Sequence, residues 1–124
     1  VLFLGNKSRE ELQGIYANSK FSVVPSEYLE AYGNVILESL AIGKTVITSD
    51  LVGIKEEIEQ NNVGLTYSFK NQEALEEKMV ELLSNSGLKS ELENNIPNYL
   101  VNKTFAKHFS DLVNVYENLL SRNR

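Results

Sequence analysis

The apolar run Phe21-Ser22-Val23-Val24 stops at Pro25, and eight residues later Gly33 opens a second, helix-like run from Asn34 to Ile42. Proline cannot donate to a β-ladder, so a strand over 21–24 ends at Pro25. The order strand, acid-bearing loop, helix constrains this chain more than any other feature. It is the repeating unit of a parallel α/β sheet, and in such sheets ligands bind outside the carboxyl ends of the strands.

The rest of the chain repeats the unit. Val1-Leu2-Phe3-Leu4 is a continuous apolar run ending at Gly5, which predicts a buried parallel strand. Ser8 and Glu11 have the spacing of a capping box, so a helix runs from Arg9 to Ser19 and buries Leu12, Ile15 and Tyr16. The helix from Asn34 buries Val35, Ile36, Leu40 and Ile42 and stops at Gly43. Thr45-Val46-Ile47-Thr48 is β-branched throughout and reads as a strand. Leu65-Thr66-Tyr67 reads as a short strand at the sheet edge. Asn71 caps a helix to Leu83, with Leu75, Met79, Leu82 and Leu83 as its buried stripe. A shorter helix over Lys89–Asn94 precedes Pro97, and a last one from Thr104 to Leu120 gathers Phe105, Phe109, Leu112, Tyr116 and Leu119 on one face. Short connections argue for right-handed crossovers. The fold class is α/β: a Rossmann-like parallel sheet flanked by helices.

A length of 124 residues suits one domain. The net charge of -5 argues against a general nucleic-acid binder. No apolar run approaches the roughly 20 residues of a membrane span, and no signal peptide is visible. Without cysteine there is no disulfide framework and no thiolate metal site. The chain begins at Val1, inside an apolar run and without Met, so we expect a piece of a longer protein.

Function gathers at Glu30 and Glu38, which are separated by seven residues. With 17 acids in 124 residues, that spacing alone is common by chance. Its setting is not: Pro25-Ser26 stand before it, Tyr32-Gly33 within it and Ala41-Ile42-Gly43 after it. Glu30 falls in the loop near the positive end of the helix, and Glu38 about a turn inside it. Eight residues of helix span roughly 12 Å, so the two carboxylates do not share one proton or one small ion. They suit the two ends of an elongated ligand whose phosphates meet the unpaired first-turn amides. A nucleotide sugar has that shape, and its vicinal hydroxyls donate in parallel to a carboxylate.

These residues, from Pro25-Ser26 through Glu30-Ala31-Tyr32-Gly33 and Leu37-Glu38-Ser39-Leu40-Ala41 to Gly43, resemble the core motif of the retaining group 1 (family 4) glycosyltransferases. That family has the GT-B fold of two facing Rossmann-like domains. The resemblance implies that residues 1–124 are the distal part of the C-terminal, nucleotide-sugar-binding domain, with the N-terminal acceptor domain and the first strands of this domain absent. It implies transfer of a sugar from a nucleotide-sugar donor to an acceptor hydroxyl, with retention of configuration. It places Glu30, the catalytic-site candidate, on donor-sugar hydroxyls and Glu38 on the ribose, with the backbone of Tyr32, Gly33 and Asn34 near sugar and diphosphate. Gly5, after the first apolar run, is a candidate neighbour of the base. Gly53 and Glu56 match a further turn of the family. Val52 stands there in place of a glycine, and Lys55 and Lys44 in place of prolines.

The resemblance further implies no metal and no cofactor beyond the nucleotide-sugar substrate. The acceptor would be a saccharide or a lipid-linked molecule reached through the absent domain, as in polysaccharide biosynthesis. It implies a cytoplasmic protein, with peripheral membrane contact of the full-length enzyme as the variant. The Arg and Lys that neutralise the family's diphosphate would lie upstream of Val1, so the chain alone is expected to be inactive. Asp50 reads as a cap, His108 as a partly exposed structural residue, and the Tyr32 ring as core. Three alternatives stay open: a sugar-nucleotide epimerase or phosphorylase on the same fold, a receiver-like signalling domain, and a degenerate non-enzymatic partner domain. A receiver-like domain would need an acidic pair where Asn6-Lys7 stand.

Overall fold

The computed structural model describes residues 1–122. Its sheet has three parallel strands in the order β1 (Ser22–Val24), β2 (Val46–Ser49), β3 (Gly64–Tyr67). Ser22 pairs with Val46, and Val46 with Gly64, so the three strands start level. All four residues of β2 are buried, as befits a central strand covered on both faces.

The strand period of two divides the core. Val24 and Val46 face one side, where they meet Ile36 and Leu40 of α2 (Asn34–Ala41) and Ile58 of α3 (Lys55–Gln60). Val23 and Ile47 face the other side, against Leu75, Met79 and Leu82 of α4 (Gln72–Ser84). Helix α5 (Ser86–Leu100) serves both clusters, giving Ile96 and Tyr99 to the first and Leu88 and Leu92 to the second. Buried hydroxyls are each satisfied: Thr45 donates to the Val63 carbonyl at 2.8 Å, and Ser39 to the Ser22 hydroxyl at 2.8 Å.

Several expectations are corrected. Val1–Leu4 form no strand; they pair with nothing, and Phe3 is 93% exposed. A strand exists only through its ladder, and no other described segment supplies one for this run. Helix α1 (Arg9–Asn18) forms with its capping box, Ser8 Oγ accepting from the Glu11 amide at 3.2 Å and Glu11 accepting from the Ser8 amide at 2.8 Å. It buries no residue, and Leu12, Ile15 and Tyr16 are only partly covered or exposed. On α2, Val35 is exposed and Ser39 is buried instead, because the face turned to β1 and β2 runs through Ile36, Ser39 and Leu40. Leu83 likewise lies outside the buried stripe of α4.

Pro97 does not follow a helix; it sits inside α5. The proline forfeits one helical hydrogen bond and strains the turn before it, at a cost of about 3 kcal/mol. Burial of Ile96 and Tyr99 on either side offsets this, at about 1.5–3 kcal/mol for each large apolar side chain. Asn85 ends α4 and also caps α5, its side chain accepting from the Leu88 amide at 3.0 Å. The last helix, α6 (Phe105–Arg122), buries nothing, and its five-residue apolar face is exposed.

Candidate functional site

Two segments meet at the carboxyl ends of β1 and β2. The loop after β1 and the turn after β2 are joined by an isolated parallel bridge between Glu30 and Val52. The Glu30 amide donates to the Leu51 carbonyl at 3.1 Å, and the Gly53 amide to the Glu30 carbonyl at 2.7 Å. Gly53 is what permits this approach: a Cβ there would lie 2.1 Å from the Ala31 carbonyl oxygen. Val52 is buried in the core, so a side chain at that position leaves the tight contact intact.

The bridge fixes the Glu30 backbone, and hydroxyls fix its side chain. Ser49, at the end of β2, donates to the Ser26 carbonyl at 2.8 Å. The Ser26 hydroxyl donates to the Glu30 carboxylate at 2.6 Å. Gly33 is the N-cap of α2, with φ 84° and ψ 61°, and no side chain caps that end. The Glu30 carboxyl carbon lies within 3.9 Å of where a Gly33 Cβ would be, and Ile36 Cδ1 within 2.9 Å. Left-handed φ and crowding together make Gly33 a glycine position.

Glu30, Gly53 and Glu56 line one cleft, with Leu29, Asp50 and Val52. Glu38 is exposed and lines a second cleft, between α1 and α2, with Arg9, Gln13 and Tyr16. Burial raises the Tyr16 hydroxyl pKa, and the Glu38 charge adds to the rise, which marks the two as neighbours. Asn34 is the exposed first residue of α2. Gly5 has φ 62° and touches neither cleft. A hollow over Ser68–Glu76 shares no residue with either cleft. Asp50 caps no helix, against expectation; its carboxylate accepts from the Phe69 amide at 2.9 Å and so ties the turn after β2 to the loop after β3. His108 is exposed on α6. The Tyr32 ring is not core; it is 40% exposed and stands against Lys103.

That last contact belongs to a cluster that no sequence pattern signalled. Lys103 pairs with Glu57 at 2.5 Å and lies 3.3 Å from the Tyr32 hydroxyl. The Tyr99 hydroxyl donates to the same Glu57 oxygen at 2.9 Å. The Lys103 hydrogen bond holds the Glu57 carboxyl below its usual range. Burial, then the Glu57 hydrogen bond, push Tyr99 far up. Burial pulls Lys103 down, but bonds to Glu57 and Tyr32 outweigh it and leave the ammonium raised. The four residues are separated by up to 71 positions, so only the fold assembles them.

The family model described as "Glycosyl transferases group 1" matches residues 1–99. The chain belongs to the group 1 glycosyl transferases. An uncharacterized glycosyltransferase of Methanocaldococcus jannaschii is 34% identical over 110 residues, which are 89% of this chain and 29% of that protein. A Campylobacter jejuni N,N'-diacetylbacillosaminyl-diphospho-undecaprenol alpha-1,3-N-acetylgalactosaminyltransferase is 34% identical over 95 residues, 77% of this chain and 24% of that protein. Sucrose-phosphate synthase of Thermosynechococcus elongatus superposes with a TM-score of 0.81 at 24% identity, over 98% of this chain and 31% of that one. This last likeness shows the fold. The group 1 chain thus spans under a third of the length of these relatives. Among its described residues no helix is long and apolar enough to cross a membrane.

Proposed function

We propose that this chain is the donor-binding part of a retaining glycosyltransferase, the distal portion of its C-terminal domain. The observation that carries the reading is the Glu30–Val52 bridge. It sets the Glu30 carboxylate beside the uncapped start of α2, while Glu38 faces a separate cleft on the same helix. A nucleotide sugar laid across the start of α2 would bring its sugar hydroxyls to Glu30 and its ribose to Glu38. Its diphosphate would meet the backbone at Gly33 and Asn34, where the first-turn amides favour anions. Gly53 and Glu56 would border the sugar, and Gly5 the base.

Family membership supports a transferase above an epimerase, a phosphorylase or a non-enzymatic partner domain. Departure of the nucleoside diphosphate is then aided by amides aimed at the growing charge. Glu30 would act on the reacting sugar, so it is the catalytic candidate of this chain. The acceptor, a saccharide or a lipid-linked one as the Campylobacter name describes, would be met through the rest of the protein. Metal independence and a cytoplasmic site, peripheral at the membrane, belong to the same proposal.

The test is an NMR titration of the chain with UDP, GDP, ADP and their sugar conjugates, beside a Glu38→Ala variant. Saturable shifts over Gly33–Glu38 with one base, weakened at least about tenfold in the variant, are expected, since a lost charged hydrogen bond is worth about 1.5–3 kcal/mol. Equal shifts in the variant, or none with any nucleotide, overturn the reading.

A further inference from the structure

On the β2 side, the loop between β1 and α2 is tied by the Glu30–Val52 bridge and by the Ser49 hydroxyl on the Ser26 carbonyl. Tyr28 and Leu29 are 70% and 84% exposed, so the loop packs little of itself against the core. Its other anchor is Tyr32. The Tyr32 hydroxyl accepts from the Lys103 ammonium at 3.3 Å. Lys103 is itself held, by Glu57 of α3 at 2.5 Å and over the Tyr99 ring of α5 at 5.2 Å. Tyr99 is 5% exposed and belongs to the core cluster, so the ammonium joins an exposed loop to the packed core. One cation bonded both to a tyrosine hydroxyl of the loop and to a carboxylate of α3, 5.2 Å from the Tyr99 ring centroid, is a geometry that bare packing does not require.

We infer that Lys103 is a positioning residue for the donor loop: through Tyr32 it holds the Ala31–Gly33 backbone in the geometry that receives the sugar end of the donor. The inference rests on the donor-binding reading of that loop. Lys103 touches no reacting atom. It acts because Tyr32 lies two residues from Glu30 and next to Gly33, between the carboxylate and the start of α2.

The test uses Lys103→Met, which keeps the stem and removes the charge, Lys103→Arg, which restores a cation, and Tyr32→Phe, which keeps the ring without the hydroxyl. Amide exchange reads the anchor directly. In Lys103→Met the Glu30 and Gly53 amides, which carry the bridge, are expected to exchange about fivefold faster or more. The Ser22 amide, bonded to the Thr45 carbonyl at 3.1 Å, serves as the core control and should not change. Affinity for the nucleotide-sugar conjugate should fall by a similar factor in Lys103→Met, with the bare nucleoside diphosphate affected less. Lys103→Arg should recover most of both losses, and Tyr32→Phe should lie between. A merely structural lysine would move the core control, or would weaken conjugate and bare nucleotide alike; either result overturns the inference, as does unchanged exchange at Glu30 and Gly53. If the unaltered chain binds no conjugate, the donor reading falls. The exchange experiment then still decides whether Lys103 holds the loop.

Discussion

Ile58, on a helix of six residues, is fully buried, whereas Phe109, on a helix of 18, is 56% exposed. The middle of the molecule, from β1 to α5, packs short elements densely around β2. The two ends, residues 1–20 and α6, carry apolar residues of the same kinds at similar spacing and bury none of them. What differs is the presence of a facing surface. Helix α1 is held by its capping box. Helix α6 is held by local pairs such as Lys107 with Asp111 and the stacked rings of Phe105 and Phe109, 6.3 Å apart. Such contacts form a helix without docking it. In the middle the order is reversed: α3 is too short to persist alone, and Ile58 holds it to the sheet.

The sharpest way to break this comparison is truncation on both sides of it. Ile58→Ala should cost about 2–5 kcal/mol, the range for emptying a packed aliphatic site. Phe109→Ala should stay within about 0.5 kcal/mol, as for exposed positions away from special features. Urea unfolding midpoints would read both. If Phe109→Ala proved as costly as Ile58→Ala, the α6 face would be covered in solution, and the contrast between ends and middle would fail.

Two glycines sharpen the contrast at smaller amplitude and with opposite signs. At Gly53 an added Cβ meets the Ala31 carbonyl at 2.1 Å, so Gly53→Ala must open the bridge to Glu30. A loss of about 1–3 kcal/mol is expected, as for overpacking. At Gly14, inside α1, an added Cβ meets nothing within 4 Å. There Gly14→Ala should gain about 0.5–1 kcal/mol through helix propensity alone. Thermal unfolding of the two variants would test the signs. A neutral Gly53→Ala would mean the loop and the β2 turn are not in fact tied.

The sequence carried much of the middle of the molecule, where most local signals agree with the packing, although helix α3 reads in the sequence only as part of a turn. Pro25 ends β1, Gly43 takes φ 80° after α2, and Asn71 caps α4, as chain chemistry dictates. The start of α2 at Gly33 was visible because a glycine before a helix-like run leaves a local mark, and Glu30 and Glu38 were visible through the motif around them. What was hidden has long-range causes. Val1–Leu4 have the composition of a strand but no ladder to join. Pro97 stays within α5 because neighbours on both sides are buried, which outweighs its local preference. The Ser49-to-Ser26-to-Glu30 hydroxyl chain and the Lys103 cluster join residues remote in sequence, and periodicity has nothing to say about them.

Acid offers the finest test, because one glutamate in each region has its pKa lowered. Glu57 is lowered chiefly by its hydrogen bond to Lys103, with burial opposing and Tyr99 assisting. Glu11 is lowered chiefly by the Ser8 amide, with Lys7 assisting. A carboxyl whose folded pKa is depressed stabilises fully above its unfolded value and loses that contribution as pH falls through the folded one. Both contributions are therefore complete above the ordinary glutamate value of 4.5 and fade below it. Lys103 is raised, so its share is intact below its ordinary 10.5 and is lost only as pH rises through its higher folded value. The consequences of protonation differ by region. Protonating Glu11 unfastens a helix that buries nothing, so the Ser8 amide should shift and the helix fray while the Tyr32 ring stays in place. Protonating Glu57 releases Lys103, so the Tyr32 ring resonances should move and the Glu30 and Gly53 amides should lose protection together. Glu57→Gln should remove that second transition and leave the first. A Tyr32 ring shift in acid that Glu11→Gln abolished would show the ends and the middle to be coupled after all.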